Sequence, residues 1–257
     1  MKISIITVCK NSESTIERTI KSVLMQTHKN IEYIIVDGES RDKTLSIVNK
    51  YKNKISRIIS EKDSGIWQAM NKGIARATGD AIICLNSNDE FYNPNVAERV
   101  VEEFRSSNAD LIYGDLIILD PKTGKTYYKK TSYVDRLFLY NNSIPHPSTV
   151  CKIDVFNKYG FFDEKFKIAG DYDWFLRVIL EEKIKIHYLN IPFSIFSLGG
   201  ISTDKKYERI HKAELQLITG QYFTLFERIL YKKLISKIMR VFWLEKIIKN
   251  KTKLNLI

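Results

Sequence analysis

Two textures of apolar residues alternate along the first hundred positions. Residues 3–8 (ISIITV), 31–36 (IEYIIV), 57–60 and 81–85 (AIICL) are short, β-branched and nearly uninterrupted, the pattern of strands buried on both faces. Between them apolar residues recur at helical spacing. Ile16, Ile20, Val23 and Leu24 follow the polar turn Lys10-Asn11-Ser12. Residues 45–51 form the next such stretch and 66–77 the third, stopped by Gly79. Strand and helix thus alternate four times, which predicts a doubly wound α/β domain around an open, mostly parallel sheet. Beyond Pro94 the spacing predicts a helix over 95–105 and a strand over 110–118. The turn Pro121-Lys122-Thr123-Gly124 leads to a hairpin partner at Tyr127-Tyr128, and further helices are expected at 152–158, 171–182 and 204–219. Residues 225–249 contain neither Gly nor Pro and read as one long helix.

Charge divides the 257 residues unevenly. The formal net charge is +11, yet residues 222–257 alone hold nine basic and two acidic side chains. The remainder is nearly balanced, with no basic stripe interleaved with aromatics, so nucleic acid is not the expected partner. Cys9, Cys84 and Cys151 are widely spaced and form no C-x-x-C pair, which points to a reducing, cytoplasmic setting. The N-terminal MKISIITVCK lacks the length and cleavage site of a signal peptide, and no run of about 18 apolar residues suits a spanning helix.

In such a sheet, ligands bind beyond the carboxyl ends of the strands. Those ends are chemically specific here. The second strand ends at Asp37, and the strand at 81–85 runs into Asn86-Ser87-Asn88-Asp89-Glu90. The first turn has no G-x-G-x-x-G, and no G-x-x-x-x-G-K-[ST] loop occurs. A nucleotide would be gripped by side chains and a metal instead of a glycine cradle. Taken alone, Asp37 also reads as an ordinary turn residue, and 86–90 as a polar loop.

Five blocks in order change that balance: 3–11 (ISIITVCKN), 36–44 (VDGESRDKT), 61–73 (EKDSGIWQAMNKG), 79–91 (GDAIICLNSNDEF) and 168–177 (IAGDYDWFLR). Together they resemble the family 2 glycosyltransferases of GT-A fold, in particular the bacterial branch that builds cell-surface polysaccharides. The resemblance implies a Rossmann-like sheet that binds a nucleotide-activated sugar, with 1–105 as the nucleotide-binding half of a domain spanning 1–221 and 106–221 as the acceptor half. It implies that Thr7, Val8 and Asn11 hold the base and that Asp37 touches base or ribose. Asp63, Gly65, Met70 and Asn71 would line the nucleotide side, Asp89 would ligate Mg²⁺ or Mn²⁺, and Asp171 would be the general base of an inverting transfer. A UDP-sugar is the first donor to consider, and a glycan or lipid-linked hydroxyl the acceptor. His146 and the Gly200-Ile201-Ser202 loop match places where relatives approach acceptor or substrates, with a structural hydrogen bond and a plain turn as their alternatives, and Trp67 reads either as an acceptor-side ring that stacks on a sugar or base or as a core aromatic. One departure stands out. Asn88 occupies a position where relatives often carry Asp, which removes a negative charge from the metal motif and leaves an inactive nucleotide-sugar-binding relative as the alternative.

Chemistry supports these roles. A departing nucleoside diphosphate gains negative charge that a hard cation neutralises, and an acceptor hydroxyl needs a base as it attacks. Asp171 and Asp173 are two apart near a helix start, so only one faces the cleft. Asp171 is assigned there and Asp173 to capping or support. Ser202 doubles as a candidate cap for the helix at 204–219. In the tail, Leu230, Leu234, Ile235, Ile238, Val241, Phe242 and Ile248 share one helical arc, with Ile229 outside it and lysines and arginines flanking. That basic amphipathic helix suits an anionic membrane surface, the inner face of the plasma membrane for a cytoplasmic enzyme. Packing on the domain, or on a second subunit in a homodimer, is the alternative.

Overall fold

The computed structural model describes residues 1–131 and 133–237. The first half follows the hydrophobic pattern closely. β1 (Ile3–Cys9), α1 (Ile16–Leu24), β2 (Ile31–Asp37), α2 (Thr44–Asn49), β3 (Arg57–Ser60), α3 (Ile66–Ile74) and β4 (Ala81–Cys84) succeed one another, and the four strands pair in parallel in the order β3-β2-β1-β4. Both faces of these strands are covered, hence their uninterrupted apolar runs. Ile6, Val8, Ile34 and Val36 pack toward Trp67, Met70 and Ile74 of α3. Ile3, Ile5, Tyr33 and Ile35 pack on the opposite face toward Ile16, Ile20 and Val23 of α1 and toward α4 (Val96–Ser107). The three cysteines are buried thiols without disulfide partners.

The second half closes the sheet less regularly. After the two-residue β5 (Glu90–Phe91) and α4 come β6 (Leu111–Leu119), β7 (Thr126–Lys129), α5 (Arg136–Asn141), β8 (Thr149–Lys152), α6 (Ile153–Tyr159), α7 (Gly170–Leu176), β9 (Ile186–Ser197) and α8 (Glu208–Tyr222). Among the described residues the nine strands form one sheet, ordered β3-β2-β1-β4-β8-β6-β9-β5, with β7 paired to β6. β8 runs antiparallel between β4 and β6, while β6 and β9 are parallel. The hairpin expected at Tyr127-Tyr128 forms, with Ile117 opposite Tyr128. The helix expected over 171–182 is α7 followed by a π-helical turn at Arg177–Glu181. β9, α5 and β5 have no counterpart in the sequence pattern.

Two expectations about helix ends change. Asp204, not Ser202, caps the 3₁₀ turn at Lys205–Tyr207 that leads into α8, its carboxylate accepting from the Lys206 amide at 3.0 Å. Asp173 caps nothing. It lies inside α7, buried, and accepts from the Tyr222 hydroxyl at 3.2 Å. Its role is support: burial raises its pKa, and the bond ties α7 to the end of α8.

Residues 225–237 are helical, and the rest of the long C-terminal helix expected to 249 lies outside the described residues. One side of this segment is tied to α5. Arg136 bonds Glu227, and Tyr140 packs at a tilt against Tyr231, ring centroids 5.4 Å apart. Tyr222 and Phe223 are buried, so the basic segment begins from an anchored point. Leu225, Phe226, Ile229, Leu230 and Leu234 are exposed. Packing of Tyr231 sets this orientation, so Ile229 belongs to the outer face and Ile235 turns partly inward.

Candidate active site

Sheet geometry decides which loops meet. β1, β2 and β3 end level, with Cys9 opposite Asp37 and Asp37 opposite Ser60. β8 is antiparallel to β4, with Ile83 opposite Val150, so the start of β8 lies at the carboxyl end of β4. The turn His146–Ser148 therefore arrives beside Asn86. On the other flank β5 pairs antiparallel with β9, Glu90 opposite Ile195, which carries Asn88 and Asp89 to Ser197.

A chain of polar contacts crosses the site. Asn86 Nδ2 lies 3.1 Å from His146 Nε2, and His146 Nδ1 lies 3.3 Å from Asp171 Oδ2. The other Asp171 oxygen accepts from the Tyr172 amide at 2.8 Å. The Asp171 side chain retains 21% exposure, enough to meet a substrate while its orientation is held. Gly170 lets α7 start directly on Trp67: an added Cβ there would stand 2.8 Å from the indole. Trp67 is itself 3% exposed, wedged between Phe162 and His146. It offers no open ring face for a sugar, so the acceptor-side expectation for Trp67 is corrected to a supporting role beneath Asp171.

The nucleotide-side candidates divide in the same way. Asn11 is exposed at the first turn with φ 50°, its side-chain oxygen accepting from the Arg41 amide at 2.9 Å. Asp63 lies over Gly38 and beside Lys10, and Gly65 opens the α3 turn with nothing near it. Val8 is 7% exposed at the end of β1. Thr7 faces inward and accepts from Tyr33 at 3.2 Å. Asp37 is fully buried. It accepts from the Ser40 hydroxyl and amide and from Ser60 at 2.8 Å, so its oxygens hold the turn together in this conformation. Met70 belongs to the core, and Asn71 clamps Phe162, donating to its carbonyl at 2.9 Å and accepting from its amide at 3.1 Å. Side-chain contact of these three with a ligand requires movement, because internal bonds occupy Asp37 and Asn71 and Met70 is buried in the core.

At the loop after β4, Asp89 turns inward and Asn88 outward. Asp89 Oδ1 accepts from the Ser197 amide at 3.2 Å, and Asn88 Nδ2 donates to the Ser197 carbonyl at 3.0 Å. Gly200 approaches Asn88, whereas Ser202 is exposed further along that loop. Burial pushes the Asp89 carboxyl up to about 7. Its Oδ2 is a buried acceptor with no hydrogen-bond partner. An unpaired carboxylate oxygen is the donor type that a hard divalent cation takes, here with a single negative charge in the motif to hold it. Among the described residues no three His, Cys, Asp or Glu side chains converge on one point.

Three participants escape sequence reading. Asn86 is signalled only by its place directly after a strand end. Ser197 requires β9, which the pattern does not reveal. Asp115 is fully buried within β6, where it accepts from Tyr128, from Tyr188 and from the Thr131 amide at 2.8 Å, anchoring the β7 hairpin. A cavity of about 350 Å³ lined by Thr78, Asp80, Lys152 and Asp154 opens at the opposite ends of β1 and β4, away from all of these groups.

The family model described as glycosyl transferase family 2 matches residues 4–194, spanning the strand-end loops and Asp171. The chain belongs to glycosyl transferase family 2. A PGL/p-HBAD biosynthesis glycosyltransferase of Mycobacterium bovis is 26% identical over 204 residues, covering 77% of this chain and 78% of its own. Staphylococcus aureus TarS 1–349, in complex with UDP-GlcNAc, superposes with a TM-score of 0.69 at 18% identity over 87% of this chain and 68% of that one. Against another crystal structure of TarS 1–349 the match spans 60% of that chain. The mannosyltransferase PcManGT of Pyrobaculum calidifontis, in complex with GDP-Man and Mn²⁺, gives a TM-score of 0.61 at 14% identity, over 79% of this chain and 58% of that one. The fold of this family 2 member is therefore GT-A, a curled, mostly parallel sheet flanked by helices.

Proposed function

We propose that this family 2 member is an inverting glycosyltransferase. In this reading it moves a sugar from a nucleoside-diphosphate donor, a UDP-sugar first among them, to a hydroxyl of a glycan or lipid-linked acceptor in surface-polysaccharide synthesis. One observation carries the reading: a partly exposed carboxylate, Asp171, is held at both oxygens at the carboxyl end of the sheet. There it takes the acceptor proton as the hydroxyl oxygen bonds the anomeric carbon and the bond to the diphosphate breaks. Direct displacement inverts the centre and needs no protein nucleophile. Asn11, Asp63 and the Gly65 turn line the nucleotide side, and Gly200 the loop across from it. Asp89, with the Asn88 amide oxygen, would hold Mg²⁺ or Mn²⁺, whose charge offsets that of the diphosphate.

A thermal-shift series with UDP, UDP-GlcNAc and GDP-mannose, with and without Mn²⁺, tests donor and cation together. At a ligand concentration about 100 times Kd, the midpoint is expected to rise by about 5–10 °C. The Mn²⁺-dependent part should vanish in Asp89→Asn. No shift with any nucleotide sugar would sink the donor reading, and an identical Mn²⁺ increment in Asp89→Asn would sink the metal assignment.

For the C-terminal segment we propose docking to an anionic membrane surface. Leu225, Phe226, Ile229, Leu230 and Leu234 lie on one arc with Lys233 and Lys237, opposite the side tied to α5. No helix among the described residues is long and apolar enough to cross a membrane. Because Tyr222 and Phe223 are buried, substitution is a cleaner probe than truncation. Phe226→Ser should weaken sedimentation with phosphatidylserine-containing liposomes by roughly tenfold or more, from the loss of one buried aromatic side chain. Equal binding by the variant would favour a protein partner for this face.

A further inference from the structure

Asn86, His146 and Asp171 come from three separate segments, and their hydrogen-bond chemistry permits one consistent arrangement. An ionised carboxylate only accepts, so the contact between His146 Nδ1 and Asp171 Oδ2 at 3.3 Å requires a proton on Nδ1. In a neutral imidazole Nε2 is then a lone-pair acceptor. Asn86 meets it with its amide nitrogen at 3.1 Å. Rotating that amide would place its oxygen against the Nε2 lone pair, two acceptors facing each other. The Asn86 oxygen instead stays buried without a partner, while its amide nitrogen faces the imidazole, with the Asp89 carboxyl on the same side chain's other flank.

The imidazole has little freedom to do otherwise. His146 opens a 3₁₀ turn between Pro145 and Pro147, both of which restrict the backbone. Its ring stands edge-on to buried Trp67, centroids 6.3 Å apart, and the side chain is 14% exposed. Gly170, next to Asp171, rests on the same indole. Donor and acceptor are thus built on one rigid contact.

We propose that His146 is a positioning residue for Asp171: its Nδ1–H orients the carboxylate, and Asn86 selects that tautomer by donating to Nε2. The proposal rests on the reading of Asp171 as general base. His146 touches no reacting atom. Its Nδ1–H occupies Asp171 Oδ2 and so turns the remaining carboxylate lone pairs toward the acceptor hydroxyl. Asn86, two residues beyond the end of β4, thereby connects the nucleotide side of the site to the base.

Long-range ¹H–¹⁵N correlation on the ¹⁵N-histidine-labelled full chain reads the tautomer without any substrate. The expected result at pH 8 is a protonated Nδ1 on His146, assigned by its loss in His146→Asn, and a shift toward the Nε2–H form in both Asp171→Ala and Asn86→Ala. A His146 protonated on Nε2 in the parent protein overturns the proposal, as does a tautomer indifferent to both substitutions. The kinetic arm uses hydrolysis of whichever nucleotide sugar gives the thermal shift. Asn places an amide N–H near the position of Nδ1, whereas Gln places it near Nε2. His146→Asn should hold kcat within a few-fold of the parent, and His146→Gln should lower it by roughly 10²-fold at unchanged donor KM. Equal kcat in the two variants would overturn positioning. The reading beneath it fails by a separate sign, an undiminished kcat in Asp171→Asn, which leaves the tautomer result standing.

Discussion

Asp171→Asn is expected to reduce turnover of a nucleotide-sugar donor by roughly 10²–10⁴-fold, the usual contribution of a positioned general base. The substitution is nearly isosteric. Its amide oxygen can still accept from His146 Nδ1 or from the Tyr172 amide, the two donors that hold the carboxylate. What disappears is the capacity to take a proton from a hydroxyl whose pKa lies far above 7. The start of α7 and the nucleotide side of the site keep their structure. The loss should therefore appear in kcat, with the midpoint shift produced by UDP unchanged. This split separates catalysis from binding. A variant that turns over like the parent would remove Asp171 from the chemistry. A parent that binds donor but turns nothing over, with acceptors supplied, would favour the inactive nucleotide-sugar-binding alternative raised by Asn88.

Gly170→Ala should damage stability and activity together. The added methyl would lie 2.8 Å from two indole atoms of Trp67 and 2.9 Å from a third. Indole is rigid, and this one is 3% exposed, with Phe162 at 5.2 Å on its flank. No flexible side-chain end is available to yield, so the start of α7 has to move. Overpacking of this kind costs about 1–3 kcal/mol, which in a chain of this size lowers the midpoint by about 2–10 °C. Asp171 is the next residue, and a displacement near 1 Å in a catalytic group costs roughly 10²-fold in rate. Scanning calorimetry and donor hydrolysis measure the two effects. Adding Trp67→Phe to Gly170→Ala should restore part of both, because residues in contact are not additive. A Gly170→Ala protein with the parent's midpoint and rate would mean that the contact is slack.

The first half, residues 1–105, was legible because its strands are buried on both faces and its helices are amphipathic, so each segment announces its own state. β9 gave no such signal. It contains His187, Asn190 and Pro192 among its apolar residues, and it is a strand because β6 and β5 pair with it on either side. Direction was equally hidden. Nothing local says that β8 runs against β4, yet that reversal is what delivers His146 to Asn86, 60 residues away in the chain. The family motifs point to Asp171, and in the structure its carboxylate lies 3.3 Å from His146. They also listed Asp37, Met70 and Asn71, whose side chains are spent on a turn, the core and a loop clamp. A motif records which residues recur together near a ligand. It does not separate those that touch the ligand from those that hold the loop. Asp89 shows the same limit: a strand-end carboxylate reads as solvent-facing until the Ser197 amide draws it inside.

The pairing of β8 with β4 also governs how the molecule can move. Lys152 lies opposite Ala81 and Cys151 opposite Ile82, so the two halves share backbone hydrogen bonds across one continuous sheet. A hinge between the first and second halves of the chain would have to break that ladder. Closing over a substrate would be left to loops at the strand ends, among them residues 198–204 after β9 and 61–65 after β3. In this architecture a new donor or acceptor preference can arise by remodelling loops, while the distance between the two half-sites stays set by strand spacing.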